Sequence, residues 1–154
     1  MAAWQVNFHL IPRLPVSDFS PTALEKTEWW AGTDFPSDYR ARLAEVAPPT
    51  PSVDSQTEMW GLEDGNRVDV WSGGGRVRRV KVQVDVRRLD SKFGAALLNF
   101  VRVADAVLIR SDGLIVAPTI GAYAGALRTS AAWKFASDPT PFVITLAASD
   151  DEGR

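Results

Sequence analysis

The chain has 154 residues, enough for one domain around one core, and its 45% hydrophobic and 23% charged residues set it apart from disordered sequences. It has no cysteine, which excludes disulfides, cysteine nucleophiles and thiolate metal sites, and one histidine, His9, which leaves zinc sites and histidine-based triads short of residues. A formal charge of −2 and a pI near 5.4 run against the positive field on which nucleic-acid binding depends.

No apolar run approaches the roughly 20 residues that cross a bilayer. The opening MAAWQVNFHLIPR lacks the basic stretch and small-residue cleavage site of a secretory signal, so a soluble, cytoplasmic protein is the expectation. Arginine outnumbers lysine 13 to 4 and alanine is frequent, which reads as a GC-rich bacterial coding bias. The charge is uneven. Residues 67–90 carry an excess of four positive charges, whereas Asp18 to Glu45 holds six acids against three bases, and the tail 149–154 is acidic and expected to fray.

In chain order, Trp4, Val6, Phe8 and Leu10 alternate with Gln5, Asn7 and His9, the period of a half-buried strand that stops at Pro12. His9, on the polar side, reads as a solvent-facing or capping residue. A short helix follows, capped by Ser20 with Pro21 at its first position, and a second with Tyr39, Leu43 and Val46 on one stripe and Ser37 or a neighbour as cap. Residues 47–54, with Pro48, Pro49 and Pro51, read as a stiff linker-like loop.

The middle is β. Strands through Met59 and Val68 flank Asp64-Gly65, a dipeptide that suits a two-residue type I′ hairpin. Val80, Val82, Val84 and Val86 alternate along the next strand, and Val77 lies out of phase with them, so a β-bulge is expected at Arg78-Arg79. A helix capped by Asp90 or Ser91 carries Phe93, Leu97, Phe100 and Ala104 inward. A second hairpin around Asp112-Gly113 reads as buried on both faces, and a long helix capped by Thr119 carries Ile120, Tyr123, Leu127 and Ala131 inward. Gly121 and Gly125 on that helix suggest a close approach to the sheet, and the apolar TPFVITLAA is strand or terminal helix. The order β-αα-βββ-α-ββ-α, with tight hairpins in place of βαβ crossovers, predicts one α+β domain over residues 1–154, a mainly antiparallel sheet with helices packed on it.

A two-residue turn at Asp64-Gly65 sets Trp60 opposite Asp69. Met59, Gly61, Val68 and Val70 then fall on the core side, and Trp60, Leu62, Arg67, Asp69 and Trp71 on the other, joined by Arg79 and Lys81. Two indoles among paired charges have the makeup of an interface anchor, since Trp and Arg dominate binding hot spots. The competing account has the helices near Trp29 and Trp30 cover this face and Asp69 pair with Arg79.

Glu63, Asp64, Asn66 and Asp69 lack the register of a calcium loop, and turn geometry accounts for them. SGGGR lies between strands without the context of a phosphate loop, and acids interleave with the basic ribbon 76–88. The sequence therefore predicts no catalytic residue, metal ligand or cofactor, and a protein-binding domain of bacterial immunity or inhibitor type. Its partner would be another protein, such as a toxin or effector, held by Trp60, Arg67, Asp69, Trp71 and Arg79, with no membrane or nucleic-acid role. The alternatives are a homodimeric structural protein using the same face, and a small carboxylate-dependent hydrolase with Asp69, Asp85 or Glu63 as acid, base or magnesium ligand.

Overall fold

A computed structural model describes residues 2–13, 19–51 and 54–137. They contain strands β1 (Gln5–Pro12), β2 (Pro49–Thr50), β3 (Thr57–Gly61), β4 (Arg67–Gly73), β5 (Arg76–Asp85), β6 (Ala106–Arg110) and β7 (Ile115–Val116). The helices are α1 (Pro21–Lys26), α2 (Tyr39–Val46), α3 (Ser91–Val103), α4 (Ile120–Arg128) and α5 (Ala131–Ser137). All seven strands form one antiparallel sheet in the order β2-β3-β4-β5-β1-β6-β7, so the α+β architecture expected from the sequence is the one found.

Strand alternation gives this sheet two unlike faces. Val6, Phe8 and Leu10 of β1 share a side with Val68, Val70, Val80, Val82, Val84 and Leu108, all buried. The second, third and fourth helices cover that side, with Phe8 meeting Tyr123 and Phe35 meeting Phe100. The opposite face is polar over β4, β5 and β1, where Asp69, Lys81 and His9 lie side by side across three strands.

The bulge expected beside Arg78 is present. Trp71 pairs with Arg79 but Ser72 with Val77, so Arg78 is the extra residue and Val77 returns to the core side. The first and fifth strands pair only as far as His9–Lys81, and beyond that point they separate. Trp30 fills the opening: its indole donates to the Leu10 carbonyl at 2.8 Å and its backbone N–H to the Arg78 carbonyl at 3.0 Å. The chain thereby passes from the polar face, where Glu25 of α1 lies, to the apolar face, where Phe35 lies.

Helix caps follow the sequence at Ser20, Asp90 and Thr119, each accepting from a first-turn N–H. At α2 the cap is Asp38, which pairs with Arg42 and makes no capping hydrogen bond.

Other expectations need correction. The stiff loop 47–54 contributes β2 to the sheet edge, and the last long helix is two, broken at Thr129-Ser130. Gly121 and Gly125 approach nothing; the close contact is at Gly94, where an added Cβ would lie 3.1 Å from the Tyr123 ring. On α4 the inward residues are Tyr123, Ala126 and Leu127, whereas Ile120 is exposed. In the second hairpin β6 is largely buried, but Leu114 and Ile115 of the returning arm are exposed. The acidic tail and the whole of TPFVITLAA lie outside the described residues.

The largest correction is the first hairpin. A type I′ turn requires positive φ at Asp64 and Gly65, and neither has it. The chain instead turns from Leu62, whose carbonyl accepts from the Gly65 N–H at 3.1 Å and whose N–H donates to the Asn66 carbonyl at 3.1 Å. The residue with positive φ is Gly61, at +115°, and a Cβ there would lie 2.1 Å from the Asn66 carbonyl oxygen. Pairing therefore starts at Gly61–Arg67, one residue away from the register expected, and every β3 side chain changes face. Gly61→Ala is expected to cost about 2–3 kcal/mol in a urea melt, and Gly65→Ala less than about 1 kcal/mol. A type I′ turn would give a large loss at Gly65.

Candidate functional site

The register sorts the residues proposed for binding into two groups. Trp60 pairs with Val68 and points into the apolar side, where it is 3% exposed and its ring meets Tyr39 edge-on at 6.1 Å. It is core, so the expectation that it shares a surface with Trp71 is overturned. Arg67, Asp69, Trp71 and Arg79 do share the polar face, with Met59 in the place assigned to Trp60.

Within that face the charges are already engaged. Arg67 Nε and Asp69 Oδ1 lie 2.9 Å apart, and neither atom has a hydrogen-bond partner elsewhere among the described residues. Burial pushes the Asp69 carboxyl above its ordinary pKa, against the pull of Arg67 and Lys81. Asp69 thus pairs with Arg67 along its own strand, not with Arg79. The Arg79 guanidinium lies 5.4 Å from the centre of the Trp71 ring and donates to the Glu25 carbonyl at the end of α1. That bond satisfies one of the carbonyls a helix leaves open at its C-terminus.

α1 covers the other end of the row. Leu24 anchors it, fully buried, and Glu25 Oε1 sits 3.0 Å from Lys81 Nζ and 3.6 Å from His9 Nε2. Burial opposes ionisation of Glu25, but the Lys81 hydrogen bond and charge, with His9 and Arg79, hold its carboxyl below the usual range. His9 is 3% exposed, so it is neither solvent-facing nor a cap. Burial, then Lys81, then Arg79 lower its pKa to about 4, opposed by Glu25, which keeps the imidazole neutral near pH 7. The sequence placed His9 on the polar face but held no signal that α1 would close over it.

The acidic centre of the hairpin holds the sheet with its backbone. Gln83 donates to the carbonyls of Glu63 and Gly65 at 3.1 and 2.8 Å, Gln5 to that of Asp64 at 3.3 Å, and Asn66 accepts from the Asp85 N–H at 2.8 Å. The side chains of Glu63 and Asp64 point to solvent. Asp85 lines a cavity of about 680 Å³ with Asp64 and Asp90, yet both of its oxygens are held by Arg87. Although burial opposes ionisation, Arg87 holds the Asp85 carboxyl below its usual pKa, which suits an ion pair better than proton transfer. Asp85 is four residues along β5 from Lys81, the partner of Asp69, so the two acids belong to separate clusters. Among the described residues no three acids or histidines are grouped to hold a metal ion.

Removing the buried Trp60 ring (Trp60→Ala) is expected to cost about 3–5 kcal/mol of stability, and Trp71→Ala about 1 kcal/mol, both from urea melts. His9 adds a pH signature. Its native pKa lies below the unfolded value of about 6.5, so the unfolded chain binds the extra proton and stability falls as pH drops from about 6.5 to 4. A loss of about 2–3 kcal/mol across that window is expected, and His9→Gln removes it.

No protein-family model matches this chain, and no curated protein or solved structure matches it either, so the functional reading rests on the geometry of the polar face.

Proposed function

We propose that this chain is a non-catalytic protein-binding domain of immunity or inhibitor type, which masks a partner protein with the open part of its polar sheet face. The observation that carries the reading is the partly exposed Trp71 with Arg79 over its ring, beside an Arg67–Asp69 pair already withdrawn from water. Trp and Arg supply most hot spots because each offers a large contact area with a directed polar group. Here both are held before any partner arrives. Arg79 is fixed by the helix carbonyl and the indole, so little side-chain freedom remains to be lost on binding. The positive charges of Arg67, Arg79 and Lys81 outnumber Asp69 and Glu25 on this face, which suits an acidic partner surface. The proposed contact set therefore excludes the buried Trp60 and includes Met59 and Lys81.

The hydrolase alternative finds less support, since Asp69 and Asp85 each have an arginine partner and Glu63 is a solvent-facing turn residue. Trp71→Asp is the discriminating variant, because it alters the face without touching the core. The wild-type chain, immobilised and exposed to host-cell extract, is expected to retain a discrete protein that Trp71→Asp does not, while circular dichroism of the variant is unchanged. No Trp71-dependent partner would contradict the reading. A wild-type dimer in light scattering that Trp71→Asp dissociates would assign the face to self-association.

A further inference from the structure

A second site lies on the opposite side of the sheet and is independent of the polar face. Where β5 ends, α3, α4 and α5 close over Val84 and leave a cavity of about 290 Å³. Its walls are Ala95, Ala124, Leu127, Tyr123 and Trp133, small aliphatic groups facing two aromatic rings. Gly94 keeps its Cβ position clear beside Tyr123, where an added carbon would come within 3.1 Å of the ring. Two of the most exposed large hydrophobic residues stand at the mouth, Leu89 at 55% and Ile120 at 60%. Apolar side chains held open to water around an apolar hollow are the usual form of a site for a small molecule, and this volume lies near the lower end of the roughly 300–1,000 Å³ such sites span.

The polar groups at the cavity define the chemistry of its occupant. Arg128, the last residue of α4, makes no ion pair or side-chain hydrogen bond among the described residues. Asp90 also lines the cavity, but its Oδ1 already accepts from the Lys92 and Phe93 N–H groups as the cap of α3. Of the two charged groups lining the cavity, Arg128 is thus the one without a hydrogen-bond or ion-pair partner among the described residues. We propose that this cavity binds a small amphiphile, a medium-chain or ring-bearing carboxylic acid, with its apolar part between Tyr123, Leu127 and Trp133 and its carboxylate on Arg128. The Arg128 guanidinium matches a single anionic head, and the residues along the body of the ligand, Ala95, Tyr123, Ala124, Leu127 and Trp133, are uncharged.

Calorimetric titration of the full chain with decanoate, and with decanol as the uncharged control, tests this. One saturable site for decanoate is expected. Arg128→Glu should weaken decanoate about tenfold and leave decanol unchanged, as expected for loss of one charge-assisted contact. Ala124→Trp should abolish binding of both, and because Arg128 is on the surface, its variant keeps the test valid if Ala124→Trp does not fold. The proposal is overturned if decanoate does not bind, or if its affinity is the same with Arg128→Glu. Two further results would assign the cavity to another occupant and overturn it equally. One is decanoate binding that appears only when Phe142→Asp and Ile144→Asp are introduced, which would mean that the chain's own C-terminal segment fills the cavity. The other is a dimer that Ala124→Trp dissociates, which would mean that a second copy fills it.

Discussion

The positive φ of Gly61 is the constraint on which the rest of the first hairpin depends. At +115° the chain brings the Asn66 carbonyl to where a side chain would begin, and only glycine leaves that position empty. The turn then needs one residue more than a type I′ hairpin, and pairing begins at Gly61–Arg67. Because side chains alternate with period two, that single step sends Trp60 into the core and leaves Met59 beside Asp69. Trp60, Tyr39 and Phe35 form one edge-to-face series linking the sheet to α2, and Phe35 carries it on to Phe100 of α3. The same backbone choice thus supplies the core with an aromatic ring and leaves Met59, in place of a second indole, on the face of Trp71.

The polar face is the less usual half of the fold. It buries Asp69, His9, Gln83, Asp85 and Gln5 on one side of a sheet whose other side is largely apolar. Such groups are tolerable only when each finds a partner. The two glutamines satisfy carbonyls of the hairpin turn, Asp85 takes Arg87, and Glu25 spans Lys81 and His9. Arg67 holds Asp69 through its Nε and donates from Nη1 to the Glu63 carbonyl at 3.0 Å, and this pair lies next to Trp71 and Arg79. The proposed binding face thus combines fixed charges with one partly open aromatic ring. His9, neutral near pH 7, lies buried beneath α1.

Much of this was legible in the residues. The valine alternation of 80–86 fixed the core side of β5, and the phase break at Val77 located the bulge. Ser20, Asp90 and Thr119 announced three helices by their side-chain oxygens. The element order was sufficient for the fold class because hairpins of this length admit only antiparallel neighbours. Register was not legible. Asp64-Gly65 carries the chemistry of one turn and Gly61 that of another, and the choice between them depends on Gln83 and Gln5 binding the turn carbonyls, contacts with β5 and β1 that no local pattern contains. Burial of His9 was hidden for the same reason, since it follows from the path of α1 across the sheet and not from β1. Of the five residues proposed for binding, four stayed together because they lie on β4 and β5, whose pairing the valines set. Trp60 was lost because it alone depended on the turn.

The separation of Trp60 from Trp71 is the central claim, and hydroxyl-radical footprinting with mass spectrometry reads it directly. The account predicts rapid oxidation of Trp71 and protection of Trp60 in the folded chain, with Met59, on the Trp71 side, oxidised as well. Equal oxidation of the two indoles, or protection of Trp71 with oxidation of Trp60, would contradict the register and with it the proposed binding face.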